Sequence, residues 1–164
     1  MSLDATLEDR DGTWVLTMSR RLRHPAAGVW PWLTDPRRLA RWSPVVPDAP
    51  FDGVGARLVR EQPGDDPVDG EVLLVDPPHV LVHRWGPNVL RWQLTDTDDG
   101  CLLTLEQSMA DPDPAAMSAA GWHVCLDVLE PALAGADVRR IVGPDALAVG
   151  WEGLRDRYAA TLSR

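Results

Sequence analysis

The sequence predicts an α+β fold in which an antiparallel sheet packs against one long helix. Strand patterns follow one another through the middle of the chain, whereas the helical patterns lie near its two ends. The strands between residues 68 and 109 alternate apolar and polar side chains, as expected for a sheet with one dry face and one wet face. A helical segment near the carboxyl end carries an apolar stripe that would cover the dry face.

Composition and charge favour a single domain, residues 1–164, located in the cytoplasm. The chain is long enough to bury a substantial core, and it contains neither a signal-peptide pattern nor a run of about 18 apolar residues. The net charge of −9 and the scattered basic residues disfavour nucleic acid and anionic membranes as partners. All 16 basic residues are arginine, so Schiff-base chemistry on a lysine is excluded.

The cysteines and histidines form no recognisable metal or cofactor motif. Cys101 and Cys125 match no paired-ligand spacing, and two cysteines in a chain of this length make no disulfide framework. His79 and His83 lie four residues apart on a predicted strand, a span of about 13 Å, which is too far for two imidazoles to share one zinc ion. Walker, Rossmann and zinc signatures are absent. We therefore predict no metal and no cofactor.

One strand and two short helices are predicted in the first part of the chain. Residues 13–22 alternate apolar and polar side chains, which indicates a strand. Residues 24–42 carry apolar side chains at helical spacing, and Pro36 directly after Asp35 is typical of a new helix start. The two helices are therefore expected to separate around Thr34 and Asp35.

Five further strands are predicted, at about residues 55–61, 68–75, 80–85, 89–97 and 101–109. With turn tips at 87–88 and 99–100, Trp85 would lie across from Leu90 and Trp92 across from Gln107. The dry face would then hold one contiguous apolar set, namely Val72, Leu74, Leu81, Trp85, Leu90, Trp92, Leu94, Leu103 and Leu105. His83 and Gln107 are its polar members. The other face collects charged and polar side chains, as a wet surface does.

Two helices are predicted after the last strand. The longer, residues 114–134, carries one stripe formed by Ser118, Trp122, Cys125, Leu126, Leu129 and Leu133, and Pro131 is expected to strain or end its last turn. The second is predicted at about residues 145–162. His123 and Asp127 are one turn apart on the longer helix but outside the stripe, so we interpret them as a solvated pair and not as a catalytic dyad.

Five sequence motifs occur in order along most of the chain. They are RRLRHPAAGVWPWLTDPRRLARW at 20–42, VDPPHVLVHRW at 75–85, DDGCLLTLEQ at 98–107, GWHVCLDVLEPALAG at 121–135, and a final Trp-x-x-Leu-x-x-x-Tyr at 151–158. Together they resemble the activator-of-Hsp90-ATPase-homologue-like branch of the START/Bet v 1-like superfamily. The resemblance implies a helix-grip fold, in which a curved antiparallel sheet wraps around a long helix and leaves a cavity between them.

The resemblance and the indole-rich face together predict a binding protein. Many members of the superfamily hold apolar or amphipathic small molecules in the cavity, so such a molecule is the partner that we expect here. The cavity wall is predicted to consist of Leu81, Trp85, Leu90, Trp92, Leu105 and Trp122, with His83 and Gln107 supplying orienting hydrogen bonds. An ordinary packed core is the alternative for the same side chains.

Two other functions stay open at this point. The family takes its name from a eukaryotic Hsp90 co-chaperone, which makes a chaperone partner one alternative, although this chain has no room for the extra amino-terminal domain of that protein. The other alternative is a cyclase-like or hydrolase-like enzyme that uses His83. No nucleophile or carboxylate is predicted beside His83 on its face, so a role without catalysis is favoured. Exposed strand edges and a tryptophan in the last helix also leave homodimer formation open.

Overall fold

The computed structural model describes residues 4–162, and there it contains two antiparallel sheets and four α-helices. The strands are β1 (Ala5–Arg10), β2 (Thr13–Leu22), β3 (Val46–Pro47), β4 (Leu58–Arg60), β5 (Val68–Asp69), β6 (Val72–Asp76), β7 (Val80–Trp85), β8 (Asn88–Thr97) and β9 (Gly100–Met109). The helices are α1 (Ala26–Thr34), α2 (Pro36–Leu39), α3 (Ala115–Leu133) and α4 (Trp151–Leu162), and a 3-10 helix (Gly143–Val149) precedes α4.

The larger sheet has six strands in the order β1-β2-β9-β8-β7-β6. Its inward face is covered by α3, whose Trp122 indole N–H donates to Gln107 Oε1 of β9 at 2.8 Å. The smaller sheet, β3-β4-β5, is joined to the larger one by a bridge between Gly55 and Val72. This arrangement of a curved sheet around a long helix confirms the predicted α+β class and helix-grip architecture.

The hairpin between β7 and β8 confirms the predicted faces but shifts the predicted pairing by two residues. Trp85 pairs with Asn88, and His83 pairs with Leu90, so the turn tip is at 86–87. Gly86 has φ +58°, a conformation that glycine adopts without steric cost. Because strand side chains alternate with a period of two, a shift of two residues leaves every side chain on its predicted face.

The next hairpin shows the same shift. Its tip lies at 98–99, and Trp92 of β8 therefore pairs with Leu105 of β9, while Gln107 pairs with Leu90. Trp92, Leu90, Leu105 and Gln107 are all buried on the inward face. The prediction that these four side chains share one face is confirmed, whereas the predicted pairing of Trp92 with Gln107 is wrong.

Leu74 is the residue whose predicted face is wrong. The pairing of β6 with β7 changes register between Val72, which pairs with His83, and Leu74, which pairs with Val82. A register change of one residue reverses the face of every side chain beyond it. Leu74 consequently points outward and is 47% exposed, while Val72 is buried as predicted.

The first strand, β1, has no counterpart among the predicted elements. It pairs with β2 along its whole length, from Ala5 opposite Met18 to Arg10 opposite Thr13. Only Ala5 and Leu7 of β1 pack against the core, because β1 is an edge strand and its remaining side chains face water. A charged edge strand of this kind discourages pairing with other chains, but it lacks the alternation by which strands are identified.

The predicted helices are confirmed, and one of them is divided. α1 ends at Thr34, and Asp35 caps α2 because its carboxylate accepts a hydrogen bond from the Arg37 backbone N–H at 3.0 Å. Pro131 lies inside the last turn of α3. The segment predicted as one helix from 145 to 162 is interrupted at Gly150, whose φ of +86° ends the 3-10 helix before α4 begins. No helix within residues 4–162 combines the length and the apolar composition that crossing a membrane requires.

Candidate ligand-binding cavity

A cavity of about 550 Å³ lies on the side of α3 that faces the 3-10 helix and the start of α4. Its lining is mostly apolar and includes Met117 and Trp122 from α3, Ile141 and Val142 from the segment before the 3-10 helix, and Leu147 and Trp151. Trp85, at the end of β7, reaches the cavity from the sheet. Three indoles therefore contribute to one cavity wall.

The predicted stripe of α3 contributes side chains both to the core and to the cavity wall. Leu126 and Leu129 are fully buried in the core beneath the helix. Ser118, Trp122 and Cys125, which lie at helical spacing on the same side, line the cavity instead. The helix thus separates the packed core from the cavity, and Trp122 belongs to both.

Three tryptophans on the inward face of the sheet and on α3 are in edge-to-face contact. The ring centroids of Trp85 and Trp122 are 5.6 Å apart, and those of Trp92 and Trp122 are 5.3 Å apart. Trp42, after α2, makes the same kind of contact with Trp92 at 5.9 Å. Contacts of this geometry each stabilise an aromatic cluster by about 1 kcal/mol beyond the area they bury.

His83 lies in the core, and neighbouring groups of the protein occupy both of its ring nitrogens. The Trp92 indole N–H donates to His83 Nε2 at 3.1 Å, and Nδ1–H donates to the Arg84 carbonyl at 3.0 Å. The imidazole stacks on Phe51 with 4.4 Å between ring centroids. Burial lowers the pKa of His83 to about 4, so the ring is neutral at pH 7.

Gln107 and the predicted leucines also lie in the core. The Gln107 side-chain oxygen accepts the Trp122 indole N–H, which holds the edge of that ring in place. Leu81, Leu90 and Leu105 are fully buried against the same cluster. Among the predicted ligand-binding side chains, Trp85 and Trp122 line the cavity, and the others pack behind them. Contact of any of them with a ligand stays a prediction.

The lining contributed by Ile141, Val142, Ala146 and Leu147 is not predicted by the sequence. Ile141 and Val142 stand in a short segment without helical or strand periodicity, so no pattern assigns them to a face. Leu147 was assigned to a helix, and its exposed position was not foreseen. The available signal was the apolar pair Ile141–Val142 between charged residues and a Gly-Pro turn.

His123 corrects another expectation, since it is buried and not solvated. Only 1% of His123 is exposed, and its Nδ1 lies 2.7 Å from the Tyr158 hydroxyl of α4. Its Nε2 lies 3.6 Å from Asp127 Oδ2, so the predicted proximity of those two residues is present. Burial lowers the pKa of His123 and raises that of Tyr158 to about 12. The contact between His123 and Tyr158 joins α3 to α4.

Metal ligands do not converge anywhere in the part of the chain that the structure describes. No group of three His, Cys, Asp or Glu side chains among residues 4–162 is arranged so that it could hold a metal ion. Cys101 and Cys125 are both buried and free.

Several solved structures share this architecture. CalU16 from Micromonospora echinospora is 20% identical, with a TM-score of 0.73 and 98% of this chain and 96% of that chain covered. EF2215 from Enterococcus faecalis, a conserved protein of unknown function, is 16% identical, with a TM-score of 0.74 and coverages of 96% and 89%. DynU16, from the dynemicin biosynthetic locus, is 30% identical, with a TM-score of 0.62, and the match covers 76% of this chain and 48% of that chain.

A family assignment follows from the sequence itself. No curated protein matches the chain significantly. The sequence model of the activator of Hsp90 ATPase homolog 1-like protein family, however, matches residues 23–134, which run from the end of β2 to the residue after α3. This match covers more than half of the chain and includes β3 to β9 and the long helix α3, while β1 and β2 precede it. The chain therefore belongs to the activator of Hsp90 ATPase homolog 1-like protein family.

Proposed function

We propose that this protein binds an apolar or amphipathic small molecule in the cavity between α3 and α4. The observation that carries the proposal is an apolar cavity of about 550 Å³ whose rim leaves Met117 48% exposed and Leu147 55% exposed. Cavities of this size accommodate drug-sized ligands. Covering apolar surface contributes about 25 cal/mol per Å², so a ligand that covers both side chains gains affinity from each of them.

A preformed wall supports the proposal. Trp122 is held by the Gln107 hydrogen bond and by the rings of Trp85 and Trp92, so it loses little conformational freedom when a ligand binds. In this proposal Trp85 and Trp122 contact the ligand. The remaining predicted side chains, Leu81, His83, Leu90, Trp92, Leu105 and Gln107, support that wall from behind.

Catalysis by His83 is not part of the proposal. A general base needs a free ring nitrogen within reach of its substrate, but both nitrogens of His83 are hydrogen-bonded inside the core. A chaperone partner has the family name as its only support. The similarity to DynU16, a protein of the dynemicin biosynthetic locus, supports a small-molecule ligand rather than a chaperone partner. We place the protein in the cytoplasm, where the free thiols of Cys101 and Cys125 stay reduced.

Filling the cavity tests the proposal. Gly121 lines the cavity, and a Cβ atom added there meets no atom within 4 Å, so Gly121→Phe is expected to place a ring in the cavity. Gly153 of α4 has equally open surroundings but does not line the cavity, which makes Gly153→Phe the matched control. Replacing glycine inside a helix does not weaken the helix.

Binding of the neutral dye Nile red, followed by dye fluorescence and by thermal shift, is the measurement. We expect the wild type and Gly153→Phe to bind the dye equally and Gly121→Phe to bind it at least about tenfold more weakly, because the ring occupies the ligand's space. A wild type that does not bind the dye, or a Gly121→Phe variant that binds it as well as the wild type does, would contradict the proposal.

A further inference from the structure

We infer that the cavity selects ligands that carry a protonated amine, and that Glu61 is the residue that recognises the amine. The inference rests on the proposed function, since it names the chemical class of the ligand for the same cavity. Glu61 follows β4, is half-buried, and lines the cavity beside the indoles of Trp85 and Trp122.

The carboxylate of Glu61 has no partner within residues 4–162. No hydrogen-bond donor and no arginine of the described chain lies within bonding distance of it, whereas its neighbours in sequence are engaged. Arg60 Nε donates to the Asp65 carbonyl at 3.0 Å, and the Gln62 side-chain oxygen accepts from Arg140 at 3.3 Å. A half-buried carboxylate at the wall of an apolar cavity is stabilised by a cation that a ligand brings.

Among the described residues that line the cavity, Glu61 is the one with a charged side chain at pH 7. The other ionisable side chain of the lining is Cys125. Burial, and secondarily the Glu61 carboxylate, raise the pKa of that thiol to about 12, so Cys125 is neutral at pH 7. Among the described lining residues Glu61 thus carries the full charge, and at Cys125 its effect exceeds the opposing effect of the Arg140 guanidinium, which lies outside the lining. A negative charge in the wall attracts cations and repels anions.

The nearest candidate for binding an anion instead is Arg140. Its guanidinium already donates to the Ser43 carbonyl at 3.2 Å and to Gln62 at 3.3 Å, and it does not line the cavity. Arg140 therefore adds no group to the cavity lining to which an anionic ligand could bind. The arrangement favours a cationic head group over an anionic one.

The indoles add to the same preference. The faces of tryptophan rings attract ammonium groups within about 6 Å. The Arg155 guanidinium already lies 5.3 Å from the ring centroid of Trp151, so Trp85 and Trp122 are the lining rings that remain for a ligand's ammonium group. An alkyl ammonium with an apolar body can thus place its charge against Glu61 and its body against the rings.

Three probes with the same aromatic body separate the contributions of charge and apolar contact. They are 1-naphthaleneethylamine, which is protonated at pH 7, 1-naphthaleneethanol, which is neutral, and 1-naphthaleneacetate, which is an anion. Isothermal titration calorimetry of the whole chain measures the affinity for each. We expect the wild type to bind the amine about fivefold more tightly than the alcohol, which is the size of effect that partly exposed ion pairs produce. The acetate should bind most weakly.

Glu61→Gln removes the charge and keeps the shape of the side chain. This variant should bind the alcohol as the wild type does and should lose the preference for the amine. Glu8→Gln makes the same change in net charge on β1, where Glu8 is exposed and does not line the cavity, and it should retain the preference. High salt should reduce the preference of the wild type.

The outcomes separate this inference from the proposed function. Equal affinities for amine and alcohol in the wild type, an unchanged preference in Glu61→Gln, or tighter binding of the acetate would each overturn the role of Glu61 while leaving the cavity as a binding site. If none of the three probes binds and Nile red does not bind either, both proposals fall. If Nile red binds and no naphthalene probe does, only the inference about the amine falls.

Discussion

The two sides of α3 use tryptophan in different ways. On the side of the sheet, Trp42 and Trp92 are buried and their indole N–H groups donate to the Trp32 carbonyl and to His83. Within residues 4–162, no buried side-chain nitrogen or oxygen lacks a hydrogen-bond partner. On the side of α4, Trp151 is only half-buried and borders an open cavity. Trp42 and Trp92 thus complete a core, whereas Trp151 borders space that is large enough for another molecule.

Clustering of tryptophans therefore does not by itself indicate a ligand site. The sequence groups Trp85, Trp92 and Trp122 around one face, and in the structure Trp85 and Trp92 each contact Trp122. What distinguishes the cavity is apolar surface that remains uncovered, as at Met117 and Leu147. Three measurements test whether the packed side and the open side differ in this way.

The largest effect is expected from removing an indole on the packed side. Trp92→Ala deletes the contacts with Trp42 and Trp122 and leaves His83 Nε2 without its donor. We expect the free energy of unfolding to fall by about 3–5 kcal/mol, measured by urea denaturation. Trp151→Ala is the matched variant on the open side and should cost much less. Similar losses for the two variants would show that the two sides do not differ in packing.

The second effect concerns pH and is also expected to be large. Because burial lowers the pKa of His83 from 6.5 to about 4, the unfolded chain binds a proton between these values that the folded chain does not bind. The contribution of neutral His83 to the free energy of unfolding should therefore be fully present above pH 6.5. It should decrease by about 3 kcal/mol as the pH falls towards 4. His123, whose pKa is also lowered, acts in the same direction.

Urea denaturation at several pH values between 4 and 7.5 measures this dependence. His83→Gln removes one titrating group, so its stability should depend less steeply on pH than that of the wild type, whatever its absolute stability. His123→Gln is the parallel variant for the other buried histidine. An unchanged slope in His83→Gln would mean that folding does not lower the pKa of His83.

The smallest effect on stability is expected at the open side. Leu147→Gln replaces an exposed apolar side chain at the cavity rim, so the free energy of unfolding should change by no more than about 0.5 kcal/mol. Nile red should nevertheless bind a few-fold more weakly, because the rim covers less of its apolar surface. Leu73→Gln is the control, since Leu73 is exposed on β6 and does not line the cavity. Equal loss of dye binding in both variants would show that the dye does not bind in the cavity.

The sheet could be predicted because its signals repeat. Two turn tips were displaced by two residues, yet Trp85, Trp92 and Gln107 kept their faces, since the face depends only on whether a shift is even or odd. Leu74 was misplaced by a shift of one residue, and no feature of the alternation announces such a shift. His123 was misplaced because the buried side of α3 is wider than a single stripe, and Tyr158 of α4 covers it from the far side.

The cavity could be predicted only in part. The indoles of Trp85 and Trp122 belong to strongly patterned elements, and the sequence assigns both to the inside of the fold. Ile141 and Val142 lie in a connecting segment, where position depends on tertiary packing and not on local periodicity, and Glu61, at the end of the strand predicted at 55–61, directly follows the shorter β4. The polar groups proposed from the sequence, His83 and Gln107, turned out to be hydrogen-bonded to the indoles themselves.

The position of the cavity has a consequence for comparisons within the family. The family match ends at residue 134, but Ile141, Val142, Leu147 and Trp151 all line the cavity. Relatives can therefore share strands β3 to β9 and the long helix while differing in about a third of the residues that line the cavity. Ligand preference is then free to diverge among homologues without disturbing the shared scaffold, and a ligand identified for one of them would not transfer automatically to another.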